Sequence, residues 1–197
     1  MFSLGVENDN GDLRAALDEI TCRLADDSLG QQILAVAALR SQFGHDITLE
    51  RETVPNDVQS WKYTCFQHAF ELVNPPRLVV NIANFHRDIY PRAEFVTWLE
   101  NAILNTVPPE QATDEDVVLY SLDGVPKHAG RCRSGRVVSK WGCGHLWRHR
   151  LFEVPLRYGS TVRFYRPLSR VRSVEAFIEW AESKLGRARM DALRAAP

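Results

Sequence analysis

No stretch of this chain approaches the roughly 18 consecutive apolar residues that a membrane span needs, and neither an internal repeat nor a low-complexity tract interrupts it. The opening residues, MFSLGVENDNGD, lack both the basic and the apolar region of a secretory leader. The expectation is a soluble, cytoplasmic protein with no membrane partner. Cysteine is scarce: Cys22, Cys65, Cys132 and Cys143 fall far below the density of a secreted disulfide scaffold, so reduced thiols are the default and at least one is available to react. What remains is ordinary globular material. With 197 residues, 45% of them hydrophobic and 25% charged, the chain can build one core without covalent staples.

The formal net charge of −1 conceals an uneven distribution. Residues 1–125 carry 8 Lys and Arg against 20 Asp and Glu, a balance of −12, whereas residues 126–197 carry 16 against 5, a balance of +11. A basic segment can serve nucleic acid or an anionic substrate, because clustered cations build the field such ligands follow. Here the opposing balances nearly cancel, which favours acidic and basic parts packing on each other, and the interleaved aromatics of single-strand binders are missing. Nucleic acid is not expected as a partner.

Along residues 12–27, Leu13, Leu17, Ile20 and Leu24 recur at the three-and-four spacing of a helix face, with Cys22 off that stripe. A second helix follows, with Ser28 placed to cap its start and Gly44 to end it. DITLERE reads as a short strand. A helix beginning near Thr64 must stop before Pro75 and Pro76, leaving about ten residues. RLVVNIAN fits a buried strand, PRAEFVTWLENAIL is a helix with Pro91 at its first position, and NTVPPEQATDED is a linker. Beyond it the period becomes two. DVVLYSL, KHAGRC, RVVSKW, RLFEV and TVRFYRP are short β-rich runs separated by DG, SG and YGS turn signals, which predicts an antiparallel meander or small barrel. SVEAFIEWAESKLG closes the chain as a helix, with RARMDALRAAP a short or frayed helical tail. Helices first and sheet second define α+β.

A cysteine hydrolase needs a thiolate, a base, a group that orients the base, and donors for an oxyanion. Cys65 sits in YTCFQHAFEL at a helix start, where unpaired amides stabilise a thiolate and an oxyanion. His128 in KHAGRC is the best-placed base, because it comes from a different element and has small residues beside it. If the strands around RSGR pair over an even loop centred on Ser134 and Gly135, Gly130 faces Ser139 and His128 faces Trp141. Ser139 then shares the face of His128, and its oxygen can accept an imidazole N–H. A bulge would instead place Lys140 opposite His128.

YTCFQHAFEL, then EDVVLYSLDGVPKHAG, then GRVVSKWG resembles the motif order of the NlpC-type papain-like cysteine peptidases, over about residues 60–166. SKWGCGHLWRHRLFEVPLRYGSTVRFYRP resembles a bacterial branch of that fold. The resemblance implies a papain-like α+β fold: an N-terminal helical extension (1–59) packed on an antiparallel meander or small barrel, a hydrolase core (60–167) and a C-terminal helical segment (168–197). It implies a Cys65–His128 catalytic pair acting on an amide, peptide or isopeptide bond of a peptide or protein, with no cofactor. Tyr63 and Trp141 are candidate substrate-binding residues. Two positions depart from the family pattern: Glu115 replaces the glycine before the strand aspartate, and the third catalytic position, usually His, Asn or Gln, falls by spacing on Lys140 rather than Ser139.

Plainer readings stand beside these. A lone cysteine near a helix start is more often a small buried apolar residue than a nucleophile. His68 shares the helix of Cys65 and reads as a polar helix residue, while His45 and His86 lie in or beside loops. Cys132, Cys143, His145 and His149 are competent zinc ligands, but their spacing matches no common finger. Trp141 and Trp147 fit a core as well as a cleft, and Arg163, Arg166, Arg170 and Arg172 fit a solvated face. The same fold also supports an acyltransferase, a deamidase or a catalytically idle interaction module.

Overall fold

The computed structural model describes residues 10–23, 29–51, 63–142 and 144–195. Helix α1 (Gly11–Arg23) starts behind Asn10, whose side chain accepts from the Leu13 amide at 3.1 Å, and it buries Leu13 and Leu17. Leu24 and Ser28 lie outside the described residues. Helix α2 (Leu29–Phe43) ends where Gly44 adopts left-handed backbone, its amide returning to the Arg40 carbonyl. Strand β1 (Thr48–Arg51) forms as expected.

Three expectations give way in the middle of the chain. Helix α3 (Cys65–Ala69) has five residues rather than about ten. The prolines do not stop it; a paired closure does, with the Leu72 amide on the Gln67 carbonyl at 2.8 Å, the Glu71 amide on the His68 carbonyl at 3.3 Å, and Glu71 at φ 55°. Residues 77–84 are not a strand but helix α4 (Arg77–Phe85), burying Val79 and Ile82 three apart. Pro76 starts it, accepting from the Val79 and Val80 amides. The supposed linker contains strand β2 (Thr106–Val107) and a single 3-10 turn (Pro109–Gln111). Between these, helix α5 (Ala93–Ala102) buries Phe95, Val96 and Leu99, with Pro91 just ahead of its cap rather than at its first position.

Strands β3 (Val117–Leu122), β4 (Val125–Arg133), β5 (Arg136–Lys140), β6 (Leu146–His149) and β7 (Thr161–Tyr165) follow. The β3–β4 and β4–β5 hairpins turn at Asp123-Gly124 and Ser134-Gly135, where all four residues have positive φ, the conformation whose twist suits two-residue hairpins. Strand β6 precedes RLFEV, and residues 151–154 form a turn. The antiparallel sheet runs β1-β6-β5-β4-β3-β7-β2. Among the described residues the edge strands β1 and β2 do not pair, so the sheet is open and not a barrel. Helix α6 (Arg170–Leu185) begins at a Ser169 cap, and α7 (Arg187–Ala195) buries Met190 and Leu193, so the tail is docked rather than frayed.

The sheet is covered on both faces, giving a mixed α+β protein with seven helices among the described residues. Val117, Leu119 and Ala129 face a core shared with α3, α4, α5, α6 and α7. Val118, Tyr120, Cys132, Val137 and Phe164 face a second core with Leu13, Leu17 and Val36 from α1 and α2. Acidic and basic parts meet across these layers: Arg131 pairs with Glu71 and Glu115, Arg136 with Asp46, Arg148 with Glu50, Arg157 with Asp18 and Arg166 with Asp116.

Candidate active site

Strand alternation decides what each residue of β4 can reach. Ala129 packs in the α3–α7 core, and Arg131 donates from Nε to the Ala69 carbonyl of α3 at 3.0 Å. His128, opposite Tyr120 on β3, and Cys132 face the α1–α2 side. The register with β5 is the even-loop one, Gly130 opposite Ser139. Glycine is required there: a Cβ at 130 would lie 2.6 Å from Val137 Cγ1 and 2.9 Å from Ser139 Cβ. Ser139 therefore shares the face of His128, and Lys140 points toward α3.

Ser139 nevertheless serves a different histidine. Its Oγ lies 2.8 Å from His149 Nε2, and His149 Nδ1 lies 2.6 Å from the Arg150 carbonyl. A carbonyl only accepts, so Nδ1 carries the proton, Nε2 accepts, and the Ser139 hydroxyl donates to it. Burial pushes the His149 pKa down to about 4, against the opposing pull of the Arg150 carbonyl. His149 enters the sequence argument only as a metal ligand; the alternation of LWRH on a strand is the signal that places it beside Ser139.

His128 is completely buried, and its ring lies flat on that of Tyr158, with centroids 3.9 Å apart and planes at 6°. Neither ring nitrogen has a hydrogen-bond partner, so no hydrogen bond joins His128 to Cys65 or to Ser139. Burial, and then the neighbouring His149, His68 and Arg157, hold its pKa well below the ordinary histidine value, and the ring is neutral. Tyr158 ends the 3-10 turn Leu156–Tyr158. Burial and then the nearby Cys65 raise its phenol pKa, so the hydroxyl stays protonated. Sequence reasoning took YGS only as a turn.

Two contacts hold this tyrosine in place. Gly159, at φ 94°, presses on β3 so closely that a Cβ would lie 2.1 Å from the Ser121 carbonyl oxygen. Arg14 of α1, fully buried, donates to the Gly159 carbonyl at 2.6 Å and the Val154 carbonyl at 3.2 Å.

Cys65 opens α3 behind a reciprocal cap, in which Thr64 Oγ1 accepts from the Gln67 amide at 3.3 Å and Gln67 Oε1 accepts from the Thr64 amide at 2.9 Å. The cysteine is half-buried against the α3–α7 core. Tyr63 is buried and stacks with His68 at 6.3 Å, while Lys140 Nζ sits 4.2 Å over the Tyr63 ring and donates to the Gly144 carbonyl at 2.7 Å. Trp141 is 1% exposed and stacks on Trp147 at 5.3 Å, an interior position rather than a cleft wall.

No family model, curated protein or solved structure matches this chain.

Of the zinc candidates, Cys143 lies outside the described residues. Among the described residues no three metal-binding side chains come together. Cys132 is a core thiol whose pKa burial pushes up to about 12. The remaining histidines divide clearly: His45 donates from Nε2 to the Val36 carbonyl and accepts the Ile47 amide on Nδ1, a structural role, whereas His68 Nε2 is buried without a partner.

Proposed function

We propose that this chain is a cysteine hydrolase acting on an amide, peptide or isopeptide bond, with Cys65 as nucleophile and His128 as base. One observation carries the reading: a fully buried imidazole with both nitrogens unpartnered, stacked on Tyr158 and carried by β4, the strand against which the Cys65 helix packs. Buried polar atoms are almost always paired, so a neutral ring with two open nitrogens is one that could take a proton from a thiol brought within hydrogen-bond reach. The mechanism needs the Cys65 sulfur within hydrogen-bond reach of a His128 nitrogen in the substrate complex. The Cys65 proton passes to His128, sulfur bonds to the carbonyl carbon, and the amine leaves with the proton from His128. Water then cleaves the thioester to release the acid. The Cys65 amide, with Tyr63 or Tyr158, supplies oxyanion donors. Release to another acceptor gives an acyltransferase, and attack on a carboxamide gives a deamidase.

The backbone at Glu115 supports the papain-like resemblance. Its φ of 72° is the left-handed conformation that glycine adopts freely, and glycine is the family residue at that position. Arg131 at 2.9 Å and Arg133 at 3.1 Å hold the glutamate there.

A second reading, an idle interaction module of the same fold, draws on the Ser139–His149 hydrogen bond, which leaves His128 without a third residue. Alkylation of Cys65 by iodoacetamide, followed by mass spectrometry between pH 5 and 9 with N-acetylcysteine as reference, separates the two. The hydrolase requires Cys65 to outpace the reference near pH 6 and His128→Ala to remove that advantage. Equal rates in both proteins would leave the module.

A further inference from the structure

One helical turn beyond Cys65, a cavity of about 310 Å³ is lined by His68, Glu71, Val73, Glu115, Arg131, Arg133 and Arg170. The Arg131 side chain is 8% exposed, so it is a buried cation at the wall of an open pocket. Its Nε is held by the Ala69 carbonyl, and its Nη1 is shared at 2.9 Å by Glu71 and at 2.9 Å by Glu115. Its Nη2 is buried with no partner, as is His68 Nε2. Arg170 enters from α6, its Nη2 donating to the Asn74 carbonyl at 2.6 Å. Three guanidinium groups against the two carboxylates leave one surplus positive charge, with unspent donor capacity on the most buried of the three.

A buried guanidinium nitrogen without an acceptor is costly to maintain, and a carboxylate oxygen is the charged acceptor that would satisfy it. We propose that this pocket binds a carboxylate group of the substrate and so positions the neighbouring acyl carbon at Cys65. The substrate class is then an anionic peptide, recognised through a side-chain or C-terminal carboxylate. The delivery of an acyl group rests on the hydrolase reading above; carboxylate binding does not.

The test uses the full chain with Cys65→Ala, so that binding is read without chemistry. The probes are an amidated pentapeptide with one glutamate, an alanine pentapeptide with a free C-terminal carboxylate, and the same alanine peptide amidated. Histidine-ring NMR follows His68. The expected result is a saturable shift of the His68 signals with at least one carboxylate peptide and none with the neutral one, and an affinity at least fivefold weaker in Arg170→Gln. Which carboxylate peptide binds tells side-chain from terminal recognition. Equal binding of the neutral peptide, no saturable shift with any probe, or unchanged affinity in Arg170→Gln would each overturn the site. An inert Cys65 in the alkylation assay would leave the site standing and remove only its link to acyl transfer.

Discussion

Ser139→Ala removes one hydroxyl and strands one buried acceptor, His149 Nε2, which costs about 1–3 kcal/mol. An unfolding free energy from urea titration lowered by that amount, with Cys65 alkylation unchanged at every pH, is the expected result, because the hydroxyl is committed to His149 and not to His128. The buried histidines also make the fold acid-sensitive. His149 has a folded pKa of about 4 against an ordinary 6.5, so below pH 6.5 the unfolded chain binds a proton that the folded one refuses. Its contribution is complete above pH 6.5 and is lost as pH falls through 4, about 3 kcal/mol in all. His68, also lowered to about 4, and His128 act in the same direction. Urea titrations at pH 7.5 and 4.5 measure the difference. At this scale the face of Ser139 followed from the turn, and the roles of Cys65 and His128 are proposed from motif order. The partner Ser139 takes was not legible, since it depends on the β5–β6 register that sets His149 beside it, and spacing carries no such information.

Among the elements, the short turn bearing Tyr158 is clamped by the close approach of Gly159 to β3 and by Arg14. Gly159→Ala adds a carbon 2.1 Å from the Ser121 carbonyl oxygen in a backbone region alanine rarely adopts. The strand cannot yield without breaking its ladder, so a loss of about 3 kcal/mol or more is expected. If Tyr158 positions His128, the same change slows Cys65 alkylation near pH 6, whereas Gly135→Ala, in an open hairpin turn, leaves that rate unaltered. Hairpin turns and long amphipathic helices were readable because glycine pairs and 3.6-residue spacing are local signals. RLVVNIAN was not: a short apolar run suits either a strand or a helix, and here packing against Phe95 and Trp180 in the core, together with an initiating proline, selects the helix. The length of α3 was hidden because its closure uses glutamate in a conformation normally given to glycine.

For the whole molecule, the mixed α+β class and the mutual neutralisation of the acidic and basic parts were legible. Sheet closure was not, because it depends on strand tilt and twist rather than on period. The amino-terminal segment is more than an appendage: it supplies β1, the Leu13, Leu17 and Val36 side of one core, and the Arg14 contacts that hold the Tyr158 turn. A chain restricted to residues 60–197 would expose Val118, Tyr120 and Trp147. It is expected to keep secondary structure but bind a hydrophobic dye and unfold without cooperativity, as circular dichroism and calorimetry would report.

The open sheet leaves two rims, the kind of border to which another polypeptide can add a strand. One rim is a strand of only two residues brought to an end by Pro108, and the other carries Glu50 and Arg51 along its four. Each is too brief or too charged to template an incoming strand, so fibrous stacking is blocked at both borders.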